Sequence, residues 1–401
     1  MAGVSKMAPV FLTSVCVYAT IYTMPFCYSP WTNIDIDAQG KILPCCKYRP
    51  GPDDPAFNIQ THPLKQYADS AFLREIQQDF LNDKWPVGCV RCKVEEQNNI
   101  LSKRQLDHER WQEHYARYDI NSDQWLTASI AFGNTCNLKC ITCGSHSSSR
   151  WQQEYQEIYG QDLQHVKFYR NDFVDDFVSQ APGIIHLDIP GGEPFLSGVS
   201  DQKKLLNYYI QSGQARDISI HYTTNATIFP DAEWWQLWSH FREIDMQLSI
   251  DGIGARYEYI RYPASWEHTE HNVHRYIQHE KSIPNLRLSV SHTVSAYNIF
   301  YLDEFFTWCC SVGLPRPWLG RVHSPAHMRP EIWPNKHHIV KRLNQSSYED
   351  VQNWARMVEN VDHSDQFEQF CQRLHQHDQY RGLNFLHTFP EMASEVLTFI
   401  Q

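Results

Sequence analysis

The chain has 401 residues, 42% of them hydrophobic, which gives room for two or three domains and a sizeable core and excludes a disordered chain. Its formal net charge of -11 disfavours nonspecific binding to nucleic acid or to an anionic membrane. The first apolar stretch, VFLTSVCVYATIYTMPF at 10–26, is interrupted by Ser, Thr and Tyr, and one lysine precedes it. With no clear small-residue cleavage site before Cys27, residues 1–23 read as a disordered or strand-like extension, not a signal or membrane helix.

WTNIDIDAQGKILPCC, residues 31–46, reads as a β-hairpin: Ile34 and Ile36 alternate with Asp35 and Asp37, and DAQG makes the turn. Folding about Ala38 and Gln39 sets Trp31 opposite Cys46 and brings Cys27 beside Cys45 and Cys46. The spacing of Phe72, Ile76 and Phe80 predicts a helix over 70–81. KWPVGCVRC follows, and then one long charged helix from about 93 to 118.

From about residue 126 strands and helices alternate. LTASIAFG, GIIHLDI, DISIHYTT, IDMQLSI, LRLSVSHTV and RPWLGRV read as strands. Between them SSSRWQQEYQEIY reads as a serine-capped helix, DQKKLLNYYIQSG as a helix ending at Gly213, and DAEWWQLWSHF and YLDEFFTWCCSVG as helices. This βα repetition implies a parallel barrel or an open parallel sheet, whose C-terminal strand ends carry the chemistry. Residues 329–401 read as a helical tail. The domains expected are thus 24–118, rich in cysteine, then 119–328 and 329–401.

Twelve cysteines are many for such a chain, and most cluster: Cys27; Cys45 and Cys46; Cys89 and Cys92; then Cys136, Cys140 and Cys143. Close C-x2-C pairs in a large α/β chain read as metal ligation more readily than as disulfides, which implies a reducing cytoplasm. Cys136, Cys140 and Cys143 are spaced C-x3-C-x2-C on the loop leaving the first strand of the βα array. Thiolates suit zinc or iron–sulfur clusters. Three thiolates on a four-iron cluster leave one iron without a protein ligand, and open coordination marks a reactive metal. The bland alternative is a trio of buried thiols.

C-x3-C-x2-C after the first strand of a βα array resembles the signature of the radical S-adenosylmethionine (SAM) superfamily. CNLKC with the following SSSRW is similar to its members with SPASM or twitch auxiliary-cluster domains. The resemblance implies a partial (β/α)6 TIM-like barrel. It also implies a [4Fe–4S] cluster on Cys136, Cys140 and Cys143 whose open iron chelates the amino and carboxylate groups of SAM. Thr142 stands where many members have an aromatic residue. PGGEP at 190–194 resembles the family's GGEP motif, with Gly191, Gly192 and Glu193 lining the SAM ammonium; alone it would read as a Gly-Pro turn. Asn225, Ser249 and Asp251, at the ends of two strands, suit a ribose diol, and Arg261 matches a family arginine near the SAM carboxylate. For each of these four the alternative is a strand-end cap or surface ion pair. His292 and Asn298 are weaker candidates, and Cys309–Cys310 read as helix-core packing.

The N-terminal cysteines form a second candidate site: Cys27, Cys45, Cys89 and Cys92. Their spacing resembles a SPASM/twitch domain holding an auxiliary [4Fe–4S] cluster, with a zinc ribbon as the alternative. Cys45 and Cys46 compete for one place, and Cys45 is preferred. The implied activity is reductive cleavage of SAM to a 5′-deoxyadenosyl radical that abstracts a substrate hydrogen. A peptide is the first candidate substrate, with a carbohydrate or nucleotide as alternatives. The implied partner is a reductant such as flavodoxin or ferredoxin. The contrasting class is a non-enzymatic iron–sulfur or zinc protein that senses redox state or binds a partner.

Overall fold

A computed structural model of the chain describes residues 25–97, 101–122, 124–161 and 170–400. The extension expected over 1–23 lies outside them. The chain divides into two compact units, one comprising residues up to 36, 41–129 and 175–184, the other 37–40, 130–174 and 185–401.

In the first unit a short helix, α1 (Ser29–Thr32), with Pro in its first turn, leads into β1 (Asn33–Ile36), which pairs antiparallel with β2 (Ile42–Leu43). Asp35 lies opposite Leu43 and Ile36 opposite Ile42. The turn therefore centres on Gln39, one half-step beyond the expected Ala38–Gln39 fold, and Trp31 is helical instead of facing Cys46. The cause is local. The Asp37 carboxylate accepts from the Gln39 N–H at 2.9 Å, and Gly40, at φ +79°, closes the loop onto the Asp37 carbonyl.

Helices α2 (Leu64–Ala68) and α3 (Ala71–Leu81) follow, the latter capped by the Ser70 hydroxyl. Ile76 and Phe80 of the expected stripe enter a core with Trp31, Leu43 and Tyr48. Phe72 packs half-buried against that core. The single long helix expected over 93–118 is two, α4 (Val90–Gln97) and α5 (Lys103–Tyr115). Ser102 and Gln105 form a reciprocal capping box, each side chain accepting from the other's backbone N–H, and this starts a new helix there.

Strand β3 (Thr127–Ile130) ends where the second unit begins. There β4 (His186–Ile189), β5 (Ser219–Thr224), β6 (Glu243–Ser249), β7 (Leu286–Val294) and β8 (Trp318–Arg321) pair in parallel in chain order. Ile244, Met246 and Leu248 on β6, and Leu286, Leu288 and Val290 on β7, are buried with period two. The helices between strands begin with α6 (Trp151–Tyr159) and α7 (Phe173–Gln180). After them come α8 (Val199–Gln211), α9 (Ala232–Trp238), α10 (Gly254–Ile260), α11 (Trp266–Ser282) and α12 (Leu302–Val312). The expected serine cap on α6 is absent: Arg150 occupies the cap position without a side-chain bond. The Ser148 hydroxyl instead donates to the Leu138 carbonyl at 2.6 Å, inside the cysteine loop. Beyond residue 329 the chain is helical: α13 (His337–Asn344), α14 (Glu349–Asn360), α15 (Phe367–Arg381), α16 (Phe385–Thr388) and α17 (Ala393–Ile400). Strand pairing is thus mixed and mostly parallel, with helices between the parallel strands.

Candidate functional site

The loop leaving β3 is held by its own polar groups. Asn134 donates from its amide to the Ser145 carbonyl at 2.9 Å, and the Ser149 N–H donates back to the Asn134 carbonyl at 2.8 Å. Two loop amides bond out: Lys139 N–H to the Tyr262 carbonyl at 2.6 Å and Ile141 N–H to the Ile260 carbonyl at 2.7 Å. Cys136, Cys140 and Cys143 are half-buried. Burial pushes all three thiols up, Cys143 to about 11, while Arg261 partly opposes this at Cys140. The free thiols are therefore protonated at neutral pH, and a metal must displace those protons to bind. Cys136 Sγ accepts from the Leu138 N–H at 3.4 Å and from the Asn225 amide at 3.8 Å.

The PGGEP segment is zipped to this loop. Gly192 N–H donates to the Gly133 carbonyl at 3.2 Å and Glu193 N–H to the Thr135 carbonyl at 2.8 Å. A Cβ on Gly192 would stand 2.3 Å from the Thr135 carbonyl oxygen, and Gly191 has φ +144°. Both glycines are thus required by the close approach of two backbones. Glu193 is fully buried. Its Oε1 accepts from the Thr224 hydroxyl at 2.8 Å and its Oε2 from the Asn225 N–H at 2.9 Å. Burial raises its pKa to about 7 against the pull of those bonds.

A cavity of about 230 Å³ opens over these elements. Cys136, Cys140, Cys143, Gly191, Gly192, Asn225, Ser249 and Arg261 all line it. Glu193 and Asp251 do not: each stands behind the wall. Asp251 pairs with Arg261 Nη2 at 2.9 Å and accepts from the Thr293 N–H at 2.7 Å. Arg261 Nε is buried with no hydrogen-bond partner. Sequence reasoning missed Thr223, Thr293 and His146 in the wall. The two threonines lie at or near the C-terminal ends of β5 and β7, a position that could have flagged them. Thr142, at the position where the resemblance expects an aromatic ring, also lines the cavity. His292 is buried and held neutral, its pKa lowered by burial to about 4, with Nδ1 donating to the Ile250 carbonyl at 3.0 Å. Asn298 donates to the Asp251 and Thr293 carbonyls, a structural role.

The donor set suits a thiolate-held cluster with an anionic ligand beside it. The three thiols and the Arg261 side chain line the same cavity.

The first unit contains a second cavity, lined by Cys27, Cys45, Cys89 and Cys92 together with Lys47, Lys103 and Arg104. Cys46 is exposed and outside that lining. Two links bring the cysteine segments together. The Arg49 N–H donates to the Gly88 carbonyl at 2.9 Å, and the Tyr48 ring packs on Gly88 so closely that a Cβ there would be 2.2 Å from it. Burial raises all four thiols, Cys27 to about 11. Among the described residues no group of three or more His, Cys, Asp or Glu side chains is poised to hold a single metal ion. Of the remaining cysteines, Cys309 and Cys371 are buried in helices and Cys310 is exposed.

No family model and no curated protein matches the chain. Solved structures resemble it loosely. Histidine-tagged anSMEcpe with bound AdoMet aligns at 17% identity and a TM-score of 0.41 over 55% of each chain. Native anSMEcpe with bound AdoMet and the Kp18Cys peptide aligns at 15% and 0.40, over 64% of this chain and 62% of that one. Streptococcus suis SuiB bound to S-adenosylmethionine aligns at 14% and 0.35, over 81% of this chain and 65% of that one. The chain spans 55% to 65% of the length of these structures. Likeness of this degree assigns no chemistry, which rests on the residues themselves.

Proposed function

We propose that the protein is a radical SAM enzyme whose parallel strands form a partial (β/α)6 barrel. The observation that carries this reading is the shared cavity, lined by Cys136, Cys140 and Cys143 together with Gly191, Gly192 and Arg261. Cys136, Cys140 and Cys143 would hold a [4Fe–4S] cluster that, once reduced by an external one-electron donor, would supply the electron for cleavage of S-adenosylmethionine to methionine and a 5′-deoxyadenosyl radical able to take a substrate hydrogen atom. The chain's own residues bind and orient. Gly191, Gly192, Ser249 and Arg261 line the space where SAM would sit, Ser249 bringing a hydroxyl and Arg261 a guanidinium, while the Asn225 amide holds Cys136, Asn137 and Thr227 in place. Asp251 holds the Arg261 fork from behind, and Glu193 ties the glycine turn to the end of β5. In the first unit Cys27, Cys45, Cys89 and Cys92 would hold an auxiliary [4Fe–4S] cluster in a cavity also lined by Lys47, Lys103 and Arg104, which are paired with Glu95, Asp107 and Glu96. A peptide is the substrate class we favour, with a flavodoxin- or ferredoxin-type reductant.

The test is anaerobic reconstitution with iron and sulfide, strong chemical reduction and chromatography for 5′-deoxyadenosine. The wild-type chain forms it from SAM, and Cys140→Ala forms none. A cluster-replete wild type that leaves SAM intact with candidate substrates present rejects the reading.

A further inference from the structure

The helical tail carries no sequence motif, yet its helix α15 ends on the cysteine loop. The Arg381 side chain, at the last position of α15, is fully buried. Its Nη2 donates to the carbonyl of Lys139 at 2.9 Å, and its Nε donates to Glu154 Oε1 at 2.9 Å. Lys139 lies between Cys136 and Cys140. Glu154, on α6, is itself fully buried, and Lys139 Nζ lies 2.8 Å from its other oxygen. His377, one turn back on α15, donates from Nδ1 to Glu154 at 2.9 Å. The same helix also grips the surface on which the loop docks. Asp378 accepts from the Tyr259 hydroxyl at 2.8 Å, and the Arg381 guanidinium stacks 5.0 Å from the centre of the Tyr262 ring. The two carbonyls that receive the loop amides, Ile260 and Tyr262, are on that short stretch.

A buried ion cluster is costly to assemble and is weak evidence for stability by itself. Its placement argues for a geometric role. An eight-residue stretch, Cys136 to Cys143, that must present three thiols to one cluster tolerates little drift, and outer contacts commonly fix such ligands. We propose that Arg381 and Glu154 are positioning residues that fix the backbone at Lys139 and so set the Cys136-to-Cys140 spacing, making the C-terminal helix part of the site's scaffold. This rests on the loop being the cluster site proposed above.

Hydrogen exchange of the full, cluster-free chain reads the clamp directly. In an Arg381→Met/Glu154→Gln double variant, amides of residues 136–143 exchange about tenfold faster, while peptides from β5–β7 exchange as in wild type. After reconstitution the variant holds less iron and sulfide, and Arg381→Lys restores part of both. Loop exchange equal to wild type, or a rise spread evenly over the second unit, overturns the proposal. If the double variant does not fold, Lys139→Met, whose ammonium lies near the surface, decides: faster loop exchange with iron loss supports the clamp, and neither change overturns it. Because exchange is read without cluster or SAM, the clamp can hold even where SAM cleavage fails, and the reverse outcome is equally distinguishable.

Discussion

At the scale of single residues, the Glu193 carboxylate stands behind the cavity wall. It is fully buried, and its oxygens are spent on Thr224 and Asn225. Burial lifts its pKa from the ordinary 4.5 to about 7. Between those values the folded chain holds a proton that the unfolded chain has released. Its contribution to stability is therefore complete below about pH 4.5 and is lost as pH rises through 7, a swing of roughly 3 kcal/mol at most. Glu193→Gln does not titrate. Its amide meets the Asn225 N–H and lowers stability by a similar amount at every pH. The wild-type melting temperature should thus fall relative to Glu193→Gln between pH 5 and 8. Parallel curves would show that Glu193 is ionised throughout. The GGEP resemblance placed this glutamate against the SAM ammonium; that it buttresses β5 instead of lining the cavity depends on a hydroxyl and an amide 31 and 32 residues away.

At the scale of elements, packing separates adjacent residues. Cys45 and Cys46 are neighbours in the sequence, and the extended hairpin preferred Cys45. The observed register, the Arg49-to-Gly88 bond and the Tyr48 ring seated on Gly88 bring the segment after β2 against the GCVRC turn with Cys45 inward. Cys45→Ser should therefore lower reconstituted iron and sulfide, and Cys46→Ser should leave both unchanged, by colorimetric assay. Gly88→Ala forces a methyl into the Tyr48 ring. It should cost about 1–3 kcal/mol in denaturant unfolding, with loss of the same iron. Equal iron loss from the two serine variants would assign the ligand place to neither. The same scale explains the failed long helix: charge ran on from 93 to 118, but the Ser102–Gln105 capping box starts a new helix at Lys103.

For the whole molecule, the two cysteine sets lie in separate compact units, each lining its own cavity. Loading of one should not require the other. Replacing Cys136, Cys140 and Cys143 together by Ala should leave about half of the wild-type iron and sulfide and abolish any SAM-dependent change in the electron paramagnetic resonance spectrum. Replacing Cys89 and Cys92 by Ala should keep that change. One zinc with no labile sulfide in the triple variant would identify the first unit as a zinc module. Among the described residues no helix is long and apolar enough to cross a membrane.

What the sequence determined by itself was local. The period-two strands, the periodic helices, the cysteine spacings and the glycine pair are short-range patterns, and short-range sterics and hydrogen bonding enforce them within a few residues. What only the tertiary structure decided was which of those residues meet. Asn225, Ser249 and Arg261 share one cavity with the cysteines, while Asp251 and Glu193 stand behind it. The tail that had no motif reaches the loop through Arg381, 242 residues from the carbonyl it binds. Contacts at that separation arise from packing of whole elements, and no local pattern encodes them.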